Sequence, residues 1–125
     1  MAKLKKSNKS HLALGKLYEQ RALKWLKKRG LKPLFCNYHA RGGEIDIIMQ
    51  DNEILVFVEV RYRHQNSWQN AAESIDFHKQ QRIIYAAGHF IQNHQQYQTK
   101  QCRFDAICFD QIDQADWIKD AFRVQ

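Results

Sequence analysis

The chain is short of several things that would define it otherwise. Its 125 residues hold one proline, five glycines and three cysteines. A single proline, with no internal repeat, leaves no room for a proline-rich linker and points to one continuous domain. Cys36, Cys102 and Cys108 are odd in number and form no CxxC pair, so neither a disulfide framework nor a thiolate zinc site is indicated. They read as reduced core or strand residues. No segment approaches the ~20 consecutive apolar residues of a membrane span. The N-terminus is charged but runs into SNKSH instead of an apolar signal core, so the cytoplasm is the default location and no membrane role is expected. Six histidines include no HxxxH pair and suggest no metal set.

Acidic residues are also scarce: 13 Asp and Glu stand against 20 Lys and Arg, for a net charge of +7. Such a surface attracts polyanions, nucleic acid first among them. Part of the excess lies in residues 1–10, where Lys3, Lys5, Lys6 and Lys9 interleave with Ser and Asn without an apolar period, which reads as a flexible basic arm. Residues 11–125 then form the single domain. Hydrophobic residues at 44% and charged residues at 26% are those of an ordinary globular protein with one core.

Apolar spacing predicts a helix from His11 to Arg29, stopped by Gly30 and Pro33, and a short strand over 31–39. Segments 43–50 and 53–63 are rich in β-branched residues and flank Asp51-Asn52, the turn of an antiparallel hairpin. Residues 64–73 read as a loop. A second helix is expected over 75–94 with Ile83, Ile84, Ala87, Phe90 and Ile91 on one face, then strands over 102–109 and 115–122. The order α-β-β-β-α-β-β gives an α/β fold: a mixed central sheet with flanking helices, a meander first and then a helical crossover.

A two-residue Asp51-Asn52 turn sets Asp46 opposite Phe57 and Glu44 opposite Glu59. Ile45, Ile47, Met49, Ile54, Val56, Val58, Val60 and Tyr62 then share one apolar face. The other face carries Glu44, Asp46, Glu59, Arg61 and Arg63 at its open end. Asp46 and Glu59 become diagonal neighbours, roughly 7 to 8 Å apart or less, near enough to meet at one hard cation such as Mg²⁺ or Mn²⁺. A plain cross-strand ionic ladder fits the same pattern. Glu19 falls within the apolar stripe of the first helix, where a carboxylate needs a cation, a hydrogen-bond donor or a metal; a core salt bridge to arginine is the simpler alternative.

Gly15 and Glu19, RGGEIDII at 41–48, FVEVRYR at 57–63, Lys79, and CRFDA at 102–106 together resemble the YraN family of small bacterial proteins over nearly all of residues 11–122. That resemblance implies a fold like the restriction-endonuclease-like core, also that of Holliday-junction resolvases. Nucleases of this kind present an acid on the first helix, an Asp on one strand and Glu-x-Lys on the next. These correspond to Glu19, Asp46, Glu59 and position 61, which is Arg61 here and cannot act as a base in a lysine's place. The resemblance therefore implies a metal-dependent endonuclease acting on nucleic acid, most naturally DNA. Asp46, Glu59 and the Val60 carbonyl would be metal ligands, with Glu19 and Arg61 completing the catalytic set.

Around that set, Gly42 and Gly43 would let backbone amides approach a phosphate, Arg63 and Lys79 would contact phosphate, and Trp68 would stack on an unpaired base. A turn, solvated cations and a loop pinned to the core are the plainer explanations of those residues. Arg103 and Asp105 read as a pair that anchors the sheet to Glu19 or another acid. Cutting both strands of a duplex needs two sites, which a homodimer would supply. A catalytically silent nucleic-acid-binding module and a protein-interaction domain are the competing readings.

Overall fold

In the computed structural model, residues 2–62, 75–110 and 114–124 are described, with side chains from Leu12 onward. The elements follow the expected order: α1 Ala2–Lys27, β1 Lys32–Ala40, β2 Gly43–Asp51, β3 Ile54–Tyr62, α2 Phe77–Gln92, β4 Cys102–Phe109 and β5 Ala115–Phe122. They build one five-stranded sheet in the order β1-β2-β3-β4-β5. All pairings are antiparallel except β3 with β4, which run parallel because α2 carries the chain back between them.

A helix covers each face. Ala22 and Leu26 of α1 pack with Ile47, Met49, Val56, Val58 and Ile107. Ile83, Ala87 and Phe90 of α2 pack with Ile48, Leu55, Phe57 and Phe104 on the opposite face. Two observations refine the helix limits. The backbone of α1 starts at Ala2, nine residues before the apolar period does, because Ala, Leu and Lys favour helix without a buried stripe. It ends two residues earlier than expected, in a Schellman closure. There Leu31 N–H donates to the Leu26 carbonyl and Gly30 N–H to that of Lys27, with Gly30 at φ 95. Leu31 and Leu26 are both buried in the α1 cluster.

The hairpin differs from expectation in register. Asp51 stays in the ladder opposite Ile54, Gln50 faces Leu55 and Ile48 faces Phe57, so Asn52 and Glu53 form the turn. Asn52 takes the left-handed conformation at φ 54. Asp51 is held in the strand by a long-range partner, Arg103, whose Nη2 lies 3.0 Å from its carboxylate. The shift is two residues, the side-chain period, so Ile48 and Phe57 keep their face while the cross-strand partners change.

A second difference concerns Ile45. It packs in the α2 cluster, not beside Ile47 in the α1 cluster, and so leaves the apolar face the alternation assigned to it. The reason lies in β1. Cys36 pairs with Ile47 and Tyr38 with Ile45, and Asn37 between them has φ 55. A left-handed residue in a strand breaks the alternation there, at the level of Asp46.

Candidate active site

The β2–β3 ladder stops at Ile47 opposite Val58. Beyond the end of that ladder the Asp46 and Glu59 side chains come together. Backbone pairing is replaced there by a side chain: Val60 N–H donates to Asp46 Oδ2 at 2.8 Å. The acids thus stand where the strands part. Glu59, on the α2 side of β3, is only 6% exposed. Its carboxyl group faces that of Asp46, and the two charges disfavour each other.

Glu19 enters from α1 and hydrogen-bonds Asn37 and Asp46. Its partners there are an amide and another acid. Cations approach from two sides without closing on the acids. Lys79 Nζ, from the first turn of α2, lies 3.9 Å from Glu59 Oε1, and Arg61 Nη1 lies 4.0 Å from the same oxygen. Lys79 is set in place by the helix cap, since its backbone N–H donates to the Asp76 carboxylate at 2.8 Å.

All three acids are pushed toward their neutral forms. Burial raises Glu59 to about 8, with the Asp46 charge adding to the effect and Lys79 and Arg61 opposing it. Burial also raises Asp46, against the Val60 N–H and Lys79. Glu19 is raised by burial and then by Asp46. The physical content is simple: three carboxyl groups share one poorly hydrated volume with too little positive charge to ionise together.

They face a cleft of about 320 Å³, walled by Leu14, Gly15 and Tyr18 of α1, by Val60 and Arg61 of β3, and by Lys79 of α2. Glu44 lines its rim and is exposed, 3.3 Å from His39. A cleft of similar size, about 340 Å³, lies at the hairpin-turn end beside Glu53 and Lys100. It holds a surface ion pair and no converging acids.

Among the described residues, no three of His, Cys, Asp and Glu form a ready-made metal cluster. The donor chemistry nevertheless suits a hard divalent cation. The buried Glu59 carboxyl group, the half-buried carboxyl groups of Asp46 and Glu19 and a nearby backbone carbonyl are all oxygen donors, and a cation between the acids would relieve their mutual repulsion.

Glu19, Asp46, Glu59, Val60, Arg61 and Lys79, singled out from sequence, therefore meet in one cleft. Gly42 and Gly43 are not among the residues that line it; they lie against Tyr85 and Arg82 of α2, and Gly43 has a packing reason of its own. A Cβ there would sit 2.1 Å from the Arg82 carbonyl oxygen of α2. Arg63 and Trp68 lie outside the described residues. Arg103 pairs with Asp105 and Asp51, and does not reach Glu19. The residue missed from sequence is Asn37, which both bends β1 and bonds Glu19. The available signal was an asparagine inside a strand, the residue type that most readily accepts positive φ.

The sequence profile of the uncharacterised protein family UPF0102 matches residues 18–109. The chain belongs to this family, the YraN family. A UPF0102 protein of Aeromonas hydrophila is 51% identical over 109 residues, covering 86% of this chain and 83% of that one. Relatives from Nitrosococcus oceani and Pseudomonas fluorescens are 45% and 41% identical and cover 93% and 92% of the chain, with 96% and 97% of their own lengths. The matched span of the UPF0102 profile includes every residue of the acid cleft from Tyr18 to Lys79. No helix among the described residues is long and apolar enough to cross a membrane.

Proposed function

We propose that this UPF0102 protein is a Mg²⁺- or Mn²⁺-dependent nuclease that cleaves phosphodiester bonds in nucleic acid, with DNA as the expected substrate. The observation that carries the reading is the convergence of Asp46, Glu59 and Glu19 on one cleft at the end of the β2–β3 ladder, with Lys79 and Arg61 beside them. A structural ion pair needs no cleft, and a buried acid pair with incomplete partners is unfavourable unless a ligand completes it.

Asp46, Glu59 and the Val60 carbonyl would hold the cation, with Glu19 steadying Asp46 from α1. When bound, such an ion supplies Lewis acidity at a phosphate oxygen and eases deprotonation of water. Arg61 and Lys79 bind the scissile phosphate and offset the negative charge that grows on it. Gly15 lines the cleft although a Cβ there would meet nothing within 4 Å. Close approach of substrate is a reason for glycine at that point in the helix. Arg61 itself favours a second reading, a binding module without catalysis, because a guanidinium cannot take a proton from water.

The test has two arms. Cleavage of duplex, single-stranded, flapped and four-way DNA is measured with Mg²⁺, Mn²⁺ or chelator, in wild type, Asp46→Ala and Glu59→Ala. Metal-dependent cleavage lost in both variants is expected, and equal activity in all three proteins rejects the site. Independently, Mn²⁺ at pH 7 is expected to raise the melting temperature of wild type and to release close to one proton per bound ion, because Glu59 titrates near 8. Neither effect should survive Asp46→Ala. Metal binding without cleavage of any substrate would support the silent module.

A further inference from the structure

The positive charge beside the cleft is not spread evenly. From Phe77 to Gln92, α2 contains no acidic residue. Lys79 forms the cleft wall, and Arg82 and Tyr85 follow it at three-residue intervals, about 9 Å along the helix from first to last. The β1–β2 turn, Arg41-Gly42, is laid against this flank. Gly42 has φ 96, and a Cβ at that position would stand 3.6 Å from Tyr85 Cε1. Gly43 is pressed against the Arg82 carbonyl. Two arginines and a tyrosine thus share one patch that begins at the acid cleft.

These groups are not occupied by the fold. Arg41 and Arg82 are exposed, and among the described residues neither has a carboxylate partner. The acids nearest in sequence are engaged elsewhere: Glu44 with His39, and Asp76 with the α2 cap. Tyr85 packs only an edge on the turn and remains 55% exposed, unusual for a large aromatic residue beside a tight turn. Nothing in the core needs it there.

From this arrangement we infer that Arg41, Arg82 and Tyr85 form a platform for a single-stranded segment of nucleic acid leaving the acid cleft. The arginines take phosphates, and the Tyr85 ring stacks on an unpaired base. The inference rests on the nuclease reading for the position of the strand in the cleft, and it adds the substrate class: nucleic acid with unpaired nucleotides next to the reacting phosphate. A continuous duplex keeps its bases stacked on each other and has no free base face for the ring.

The experiment measures binding of a fluorescently labelled single strand and of a blunt duplex of equal length, by anisotropy in chelator, so that cleavage does not intervene. Tyr85→Ala and Tyr85→Leu are expected to weaken single-strand binding about five- to a hundredfold, the range of one base–aromatic stack, while Tyr85→Phe holds near wild type. Duplex binding should change little. Arg41→Gln and Arg82→Gln should each lower the slope of log affinity against log salt by about 0.7 on the single strand.

Equal losses on single strand and duplex, or indifference of both to Tyr85→Leu, would overturn the platform. Wild type that binds neither nucleic acid overturns the platform and the nuclease reading together. Tyr85-dependent binding without any metal-dependent cleavage leaves the platform standing and rejects catalysis. Cleavage with Tyr85-indifferent binding does the reverse.

Discussion

Two carboxylates among the described residues are deeply buried, Asp105 and Glu59, and they sit in opposite chemical situations. Asp105 is 0% exposed and fully partnered. Arg103 donates to it through Nε and Nη2 at 2.8 and 3.0 Å, Trp117 through Nε1 at 3.0 Å, and Asp120 through its backbone N–H at 3.0 Å. Those bonds tie β4 to β5 where their register shifts and Asp120 turns to φ 55. Glu59 meets another acid instead, with its two cations at about hydrogen-bonding distance plus an ångström. Burial alone therefore does not mark a site. A buried acid whose donors match its oxygens is part of the scaffold, whereas one held against another acid is the group our proposal gives to a metal ion.

The comparison can be broken most directly at Asp105. Asp105→Ala leaves Arg103, the Trp117 indole and the Asp120 N–H without their acceptor, and should lower unfolding stability by about 3–5 kcal/mol in denaturant titrations. A loss under ~1 kcal/mol would show that the anchor is not needed.

At Glu59 the sign reverses. Its folded-state value of about 8 lies above the ordinary 4.5, so between those values the folded protein binds more protons than the unfolded chain. Stability therefore falls as pH rises through this window, with the full penalty present above pH 8. Glu59→Gln should raise stability at pH 8.5 by an amount on the order of 3 kcal/mol and change it little at pH 4.5, read from melting curves at both pH values. A variant no more stable than wild type at pH 8.5 would mean that the acid pair is already satisfied.

The smallest effect is at Gly15. Alanine is the better helix former and meets nothing there, so Gly15→Ala should stabilise α1 by about 0.5–1 kcal/mol while reducing nucleic-acid cleavage. Stabilisation with undiminished cleavage would remove Gly15 from the site.

Much of the fold was legible before any coordinates. Alternating apolar residues at 43–50 and 53–63, helical spacing at 75–94 and the Gly30 stop identified the elements, because each depends on neighbours within a few residues. The site was legible as a set of residues, with Glu19 conspicuous for a carboxylate in an apolar stripe. Its geometry was not. The hairpin register turned on Asp51, whose hold in the strand comes from Arg103, 52 residues away. The side of the sheet that Ile45 takes turned on Asn37 in a neighbouring strand. The Arg103–Asp105 pair was visible as a pair, but its partners Asp51 and Trp117 were not.

By itself the sequence determined an α/β chain in the order α-β-β-β-α-β-β, with an excess of positive charge and acids on the hairpin, because periodicity and composition are local properties. Only the tertiary structure decided that Asp46, Glu59 and Glu19 share one cleft while Asp105 is fully bonded. The energy of a buried carboxylate depends on which donors other elements bring within about 3 Å, and no local pattern specifies those.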